Sequence, residues 1–296
     1  MKGFLKGSAT AMITPFQGGS INFDAFGKMI EYQIAGGTDA LVILGTTGEP
    51  STMTWEEEME LMQYSIEKIN GRAKVIFGCG SNNTEKAVTL AKKAEEYGAD
   101  GLLAVTPYYN KCTQNGLIAY YQAICEAVSI PVIAYNVPGR TGVEIQPATM
   151  AKIADIPNIA GIKDAGGNMS TTRETFRLIR EKCDLYSGED ALNLPILACG
   201  GAGVISVLSN VLPADVKKLC DLVQKGNMAE AIALNDRLLP VASACFVEVN
   251  PIPVKEAMNI LGFDAGIPRA PLTEIEQTNR EKLLQAMKNY GLECKA

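Results

Sequence analysis

The chain has 296 residues and not one histidine. That absence removes serine–histidine–aspartate and cysteine–histidine nucleophile activation, and every metal site built on imidazole. Acid–base work must fall to lysine, tyrosine, aspartate, glutamate, cysteine or water. The eight cysteines are scattered, with no C-x-x-C pair. In a chain of this length they read as reduced thiols of a cytoplasmic protein, not as a disulfide framework or a zinc site. Long apolar runs are missing too. Ala40–Leu44 is typical, far short of a membrane span. The start, Met1–Lys6, carries early positive charge but no apolar core, so no signal peptide is expected. Positive charge is itself in deficit: 27 Lys and Arg stand against 33 Asp and Glu, a net −6 with no long basic run. That argues against nucleic acid and against an anionic membrane surface as partners. Small anionic substrates stay open, because they need only local positive charge.

What is present is ordinary globular material: 47% hydrophobic and 20% charged residues, enough to bury a substantial core. Short, β-rich apolar runs recur at Ser8–Ile13, Ala40–Leu44, Val75–Gly78, Gly101–Val105, Pro131–Ala134, Ile159–Ile162, Leu185–Ser187 and Gly203–Val207. Helical periodicity fills most of the gaps, at 24–35, 55–69, 84–97, 117–128, 147–154 and 170–182. Thr84–Tyr97, for example, places Ala87, Leu90, Ala91 and Ala94 on one face and is followed by Gly98 as a stop. Eight strands alternating with helices predict a parallel α/β fold, and the count and length favour a (β/α)8 TIM barrel over an open sheet. After Val207 the strand pattern stops, and 215–224, 228–247, 252–261 and 273–290 read as helices. The expected organisation is a barrel over residues 1–225 with a helical C-terminal region, 226–296, packed on it.

In such a barrel the chemistry projects from the C-terminal ends of several strands. The sixth apolar run, Ile159–Ile162, leads directly into Lys163-Asp164. Burial of an ammonium is costly and favours the neutral amine, which is a nucleophile toward carbonyl carbon. The fifth strand ends in Tyr135-Asn-Val-Pro-Gly-Arg140-Thr-Gly142, the fourth in Thr106-Pro-Tyr108-Tyr109, the second in Gly45-Thr46-Thr47-Gly48-Glu49, and the seventh near Gly188-Glu-Asp190. Taken singly, each has a plain alternative. The Thr46-Thr47 turn reads as a helix cap or as hydroxyls and amides meeting a carboxylate. Tyr135 reads as a core tyrosine or a proton shuttle, and Arg140 as a solvated turn residue or a clamp for a carboxylate. Gly200-Gly-Ala-Gly203 reads as a close backbone approach in preference to a phosphate cradle. Together, a buried lysine, a tyrosine one βα unit earlier, strand-end hydroxyls and an arginine suit one chemistry. The lysine condenses with a 2-keto acid to an iminium ion, loss of an α-proton gives an enamine, and the enamine attacks an aldehyde. That chemistry calls for no metal and no organic cofactor.

Gly45-Thr-Thr-Gly-Glu49 together with Tyr135 and Gly161-Ile-Lys-Asp164 resembles the lysine-dependent pyruvate aldolase and lyase superfamily. Asn136-Val-Pro-Gly-Arg-Thr-Gly142 narrows the resemblance to the dihydrodipicolinate synthase family, and similarity runs from Thr14-Pro-Phe16 to Asn250-Pro-Ile-Pro-Val-Lys255. The resemblance implies that Lys163 forms a Schiff base with pyruvate. Tyr135, Thr46 and Tyr109 would relay protons, with Tyr109 reaching in from a neighbouring subunit. Thr47 would hold the pyruvate carboxylate, Arg140 the carboxylate of L-aspartate 4-semialdehyde, and Gly188 and Ile205 would line the pyruvate pocket. It implies 4-hydroxy-tetrahydrodipicolinate as product, on the diaminopimelate route to lysine, and a homotetramer built as a dimer of dimers. Sibling sugar-acid aldolases usually lack the arginine, so Arg140 speaks against that alternative, and a non-catalytic sensor would not need Lys163 and Tyr135. One region departs from the pattern of lysine-inhibited members. At the effector-site positions stand Pro50, Ser51, Trp55, Glu58 and Lys86, with Asn82 and Tyr108 retained. Lys86 replaces the acidic partner of the effector's ammonium, so feedback inhibition is expected to be weak or lost.

Overall fold

The computed structural model describes residues 1–295. Its strands are β1 (Gly7–Ala11), a small antiparallel ribbon of β2 (Phe16–Gln17) and β3 (Ser20–Ile21), then β4 (Ala40–Ile43), β5 (Lys74–Gly78), β6 (Gly101–Val105), β7 (Val132–Asn136), β8 (Ile159–Asp164), β9 (Asp184–Ser187) and β10 (Gly203–Ser206). The helices are α1 (Phe23–Ala35), α2 (Trp55–Ile69), α3 (Thr84–Glu96), α4 (Gln114–Ala127), α5 (Pro138–Thr141), α6 (Pro147–Ile153), α7 (Met169–Ile179), α8 (Asn193–Ala198), α9 (Pro213–Gln224), α10 (Met228–Ala244), α11 (Ile252–Ile260) and α12 (Gln277–Tyr290). All strands but the ribbon form a closed parallel barrel, β1 and β4 to β10 in sequence order. The (β/α)8 class expected from the alternation is therefore the class observed.

The chain divides into two compact units, residues 1–7 with 74–205, and residues 8–73 with 206–296. In the first unit β5 to β10 pair in parallel, each strand beside the next. The centre of β6, β7 and β8 is buried on both faces, as parallel barrel strands require. Close contacts demand glycine here, at Gly161 and Gly203 among others. A Cβ on Gly161 would lie 2.4 Å from the Tyr186 ring, and one on Gly203 would lie 2.2 Å from the Gly7 carbonyl oxygen. The second of these gives the 200–203 run its close-approach role.

In the second unit β1 pairs with β4, and α1 packs against α2 and α9. After Val207, α10 packs on α9 and α12, and α11 on α12. α2 opens with a capping box, in which Thr54 accepts from the Glu57 amide and the Glu57 carboxylate accepts from the Thr54 amide. Three consecutive glutamates in its first turn favour the positive end of the helix dipole. Among the described residues no helix is long and apolar enough to cross a membrane.

Three elements were not legible in the periodicity, the single turn α5 among them. The β2–β3 ribbon is only two residues a side, and α8 carries Pro195 at its third position, where the first turn tolerates proline. Two strands also run further than their apolar stretches. β7 continues through Tyr135 and Asn136, and β8 through Lys163 and Asp164. Their ladder continues as well, pairing Tyr135 with Lys163 and Asn136 with Asp164.

Candidate active site

In the first unit that ladder puts the two central groups side by side. Adjacent strands lie about 4.8 Å apart, so cross-strand neighbours on one face must touch. The Lys163 Nζ sits over the Tyr135 ring, 4.1 Å from its centroid. Only 5% of Lys163 is exposed. Desolvation lowers its pKa to about 7, opposed by the negative charge of Asp190, reinforced by Arg140 and opposed again by Glu189. About half the amine is then neutral at pH 7, against roughly one part in several thousand for a solvated lysine. Tyr135 is buried beside it, and desolvation raises its phenol to about 12 although the Arg140 charge works the other way. It therefore holds its proton at neutral pH and is able to donate it.

The lysine stem is confined by Gly188. A Cβ at that position would lie 2.8 Å from Lys163 Cε, 3.0 Å from Cγ and 3.1 Å from the Ala165 Cβ. Glycine is thus the residue that leaves Lys163 its rotamer. Ile205, on β10, is also fully buried. Beyond the seventh strand, Glu189 is half-buried, and burial together with Asp190 raises its pKa. Asp190 is buried and accepts a hydrogen bond from Asn193 Nδ2 at 3.0 Å.

Two buried groups, Asn136 and Asp164, hold the strand ends in place. Asp164 Oδ1 accepts from Asn136 Nδ2 (3.0 Å) and the Gly166 amide (3.1 Å), and Oδ2 accepts from the Thr172 hydroxyl (2.6 Å). Asn136 Oδ1 in turn accepts from the Ile145 amide (3.0 Å), which ties down the segment carrying Arg140. That segment is the single turn α5, where Pro138 supplies a preset φ at the first position and Gly142 the left-handed cap. Arg140 stands exposed on it. Asn136 and Asp164 had been visible in the sequence only as neighbours of Tyr135 and Lys163.

Tyr109 lies elsewhere on the first unit, 89% exposed, on a left-handed backbone with φ 70°. Tyr108 beside it is 38% exposed, and Asn82 holds the same loop through its carbonyl, which accepts from Asn110 Nδ2 at 3.0 Å. Lys86 is exposed in the first turn of α3, where its amide donates to the Asn83 cap.

In the second unit Thr46, Thr47 and Gly48 form one 3-10 turn, capped by Gly45 with no side-chain hydrogen bond. Neither threonine serves as a helix cap. Thr47 is buried and its Oγ1 accepts from Asn250 Nδ2 at 2.9 Å. Glu49 follows at φ 58°, a left-handed position costly for a non-glycine residue. It is held there by Lys255, whose Nζ donates to Glu49 Oε1 at 2.7 Å, while Oε2 accepts from the Arg269 amide at 2.9 Å. Lys255 is wholly buried and also lies 4.2 Å over the Phe16 ring. Burial lowers its pKa, but the Glu49 charge and hydrogen bond oppose that. Sequence reading missed this second buried lysine, although it too follows an apolar run. Of the remaining positions, Pro50 starts a second 3-10 turn that includes Ser51, Trp55 opens α2 at 38% exposure, and Glu58 is buried on that helix.

A closed (β/α)8 barrel whose strand carries a desolvated lysine against a tyrosine defines a barrel enzyme with a candidate amine nucleophile. Comparison with known proteins narrows that class. The model of the dihydrodipicolinate synthetase family matches residues 4–290. A 4-hydroxy-tetrahydrodipicolinate synthase of Caldicellulosiruptor bescii is 49% identical over 98% of each chain. Among solved structures, a dihydrodipicolinate synthase from Aquifex aeolicus is 42% identical with a TM-score of 0.96, covering 99% of this chain and 100% of its own. A chloride-inhibited dihydrodipicolinate synthase from Acinetobacter baumannii complexed with pyruvate is 39% identical with a TM-score of 0.95, over 97% of this chain and 99% of its own. The chain belongs to the dihydrodipicolinate synthetase family.

Proposed function

We propose that this chain is a Schiff-base lyase that condenses pyruvate with L-aspartate 4-semialdehyde, giving 4-hydroxy-tetrahydrodipicolinate on the diaminopimelate route to lysine. The observation that carries the reading is Lys163, buried over the Tyr135 ring with a pKa lowered to about 7. Its neutral amine attacks the keto carbon of pyruvate, and loss of water leaves an iminium ion. The iminium accepts the electron pair released when the methyl group loses a proton, and the resulting enamine attacks the aldehyde carbon. The semialdehyde's own amine then displaces Lys163 at the former keto carbon and closes the ring. Tyr135, with its phenol protonated, moves protons in these steps together with Thr46 and Tyr109. The iminium itself is the electron sink, so the chemistry needs no added cofactor.

The remaining assignments follow the family resemblance and the local geometry of each unit. Thr47 and the neighbouring amides hold the pyruvate carboxylate, Gly188 and Ile205 bound the pyruvate pocket, and Arg140 takes the second carboxylate. Arg140 suits that part because the Asn136 side chain anchors its turn to β8 while the residue itself is exposed. The exposure of Tyr109 supports a role in a neighbouring subunit's site, within a homotetramer built as a dimer of dimers. Free thiols at all eight cysteines among the described residues suit a reducing cytoplasm. The effector positions remain a proposal of lost lysine regulation.

The test is borohydride reduction in the presence of pyruvate, followed by peptide mass spectrometry. The adduct is expected on the peptide containing Lys163. An adduct on Lys255 or another lysine, or no adduct in active protein, overturns the reading.

A further inference from the structure

A hydroxyl group has one hydrogen to donate, so what it accepts from decides where that hydrogen goes. Thr47 accepts at Oγ1 from Asn250 Nδ2, 2.9 Å away, and both residues are buried. The Thr47 hydrogen is therefore free to point away from Asn250. The turn that carries it is fixed independently. The Thr14 hydroxyl donates to the Gly48 carbonyl at 2.8 Å, and Glu49 is pinned by Lys255 and by the Arg269 amide. Asn250 and Lys255 stand five residues apart in one segment, which thus grips the same turn at its hydroxyl and at its carboxylate.

We propose that Asn250 is a positioning residue for pyruvate: by donating to Thr47 Oγ1 it commits the only hydrogen of that hydroxyl to the substrate carboxylate. This rests on the reading that Thr47 receives that carboxylate. A carboxylate gains most from a hydrogen-bond donor already aimed at it, because no reorientation is needed on binding. Loss of the Asn250 amide leaves the Thr47 hydroxyl able to rotate and to give its hydrogen to another acceptor. The effect is on ground-state and transition-state binding alike, so it moves KM for pyruvate and leaves kcat nearly unchanged.

The experiment uses the full chain with four variants, Thr47→Val, Asn250→Leu, Asn250→Ala and the pair Thr47→Val with Asn250→Ala. The pyruvate concentration giving half-maximal borohydride-trapped adduct is read by intact mass, alongside kcat at saturating pyruvate and a circular-dichroism check of folding. Thr47→Val is expected to raise half-saturation about tenfold. Each Asn250 variant is expected to raise it about threefold to tenfold while its kcat stays within about threefold of the parent. Asn250→Ala is expected to add less than about twofold in the Thr47→Val background, because its effect passes through the missing hydroxyl. Should the leucine variant fail to fold, the alanine variant and the paired variant still decide. If Thr47→Val weakens pyruvate but Asn250→Ala does not, or if its penalty persists undiminished without the hydroxyl, the positioning role is overturned and the Thr47 assignment stands. If Thr47→Val leaves half-saturation unchanged, the Thr47 assignment itself falls and the positioning role falls with it.

Discussion

Replacing Lys163 by methionine is expected to abolish imine formation and, at the same time, to stabilise the protein. An ordinary lysine titrates at 10.5, whereas Lys163 in its buried site is lowered to about 7. Between those two values the unfolded chain binds a proton that the folded chain does not, so stability rises with pH across that window. Below about pH 7 both states are protonated and the full cost of burying the ammonium is felt. Integration gives a penalty of about 4 kcal/mol at pH 7, falling to about 1 kcal/mol at pH 10. Methionine fills similar volume without a charge, so Lys163→Met removes that penalty. The groups acting on the lysine through their charge, Asp190, Glu189 and Arg140, are unchanged by the substitution. The assay is chemical denaturation of parent and variant at pH 7, 8, 9 and 10, at one protomer concentration so that assembly contributes equally. The variant is expected to be the more stable, by a margin that shrinks steadily as pH rises. A margin independent of pH, or a variant less stable than the parent at pH 7, would refute the claim that desolvation lowers the pKa of Lys163.

Tyr135→Phe removes one hydroxyl and little volume, so the fold is expected to persist while turnover falls on the order of 10²–10⁴-fold, as stopped-time assays with both substrates measure. Near-normal turnover would mean that another group moves the proton. Arg140→Ala is expected to form the borohydride-trapped pyruvate adduct normally but to lose productive use of the semialdehyde, seen as a fall in kcat/KM for that substrate of roughly tenfold or more. Failure of adduct formation would instead place Arg140 on the first substrate. L-Lysine titrated into the millimolar range is expected to inhibit weakly or not at all, because exposed Lys86 presents like charge to its ammonium. Strong saturable inhibition, abolished by changing Trp55 or Glu58, would show an effector site rebuilt around those residues.

Much of this molecule is written in local pattern. The βα period appears in the sequence because each parallel strand must be apolar on both faces and each helix on one, so eight short runs alternate with amphipathic stretches. Lys163 stands out for the same reason, as a charged group terminating one of those runs. Strand ends were less legible. Tyr135, Asn136, Lys163 and Asp164 are too polar to be read as strand, yet each continues the ladder because its cross-strand neighbour does.

The sequence alone also determined that catalysis would run without histidine, and it put a tyrosine and an arginine at the end of one strand and a lysine at the end of the next. It singled out Lys163 but did not show that Lys255 is buried as well. The tertiary structure alone shows what distinguishes the two buried lysines. Lys255 meets the Glu49 carboxylate at 2.7 Å, where an opposite charge favours the ammonium. Lys163 meets a tyrosine ring and the space left by Gly188, where desolvation favours the free amine. That difference depends on contacts between residues 206 positions apart in one case and between neighbouring strands in the other. No local pattern encodes such contacts, because burial and partner charge are properties of the packed chain.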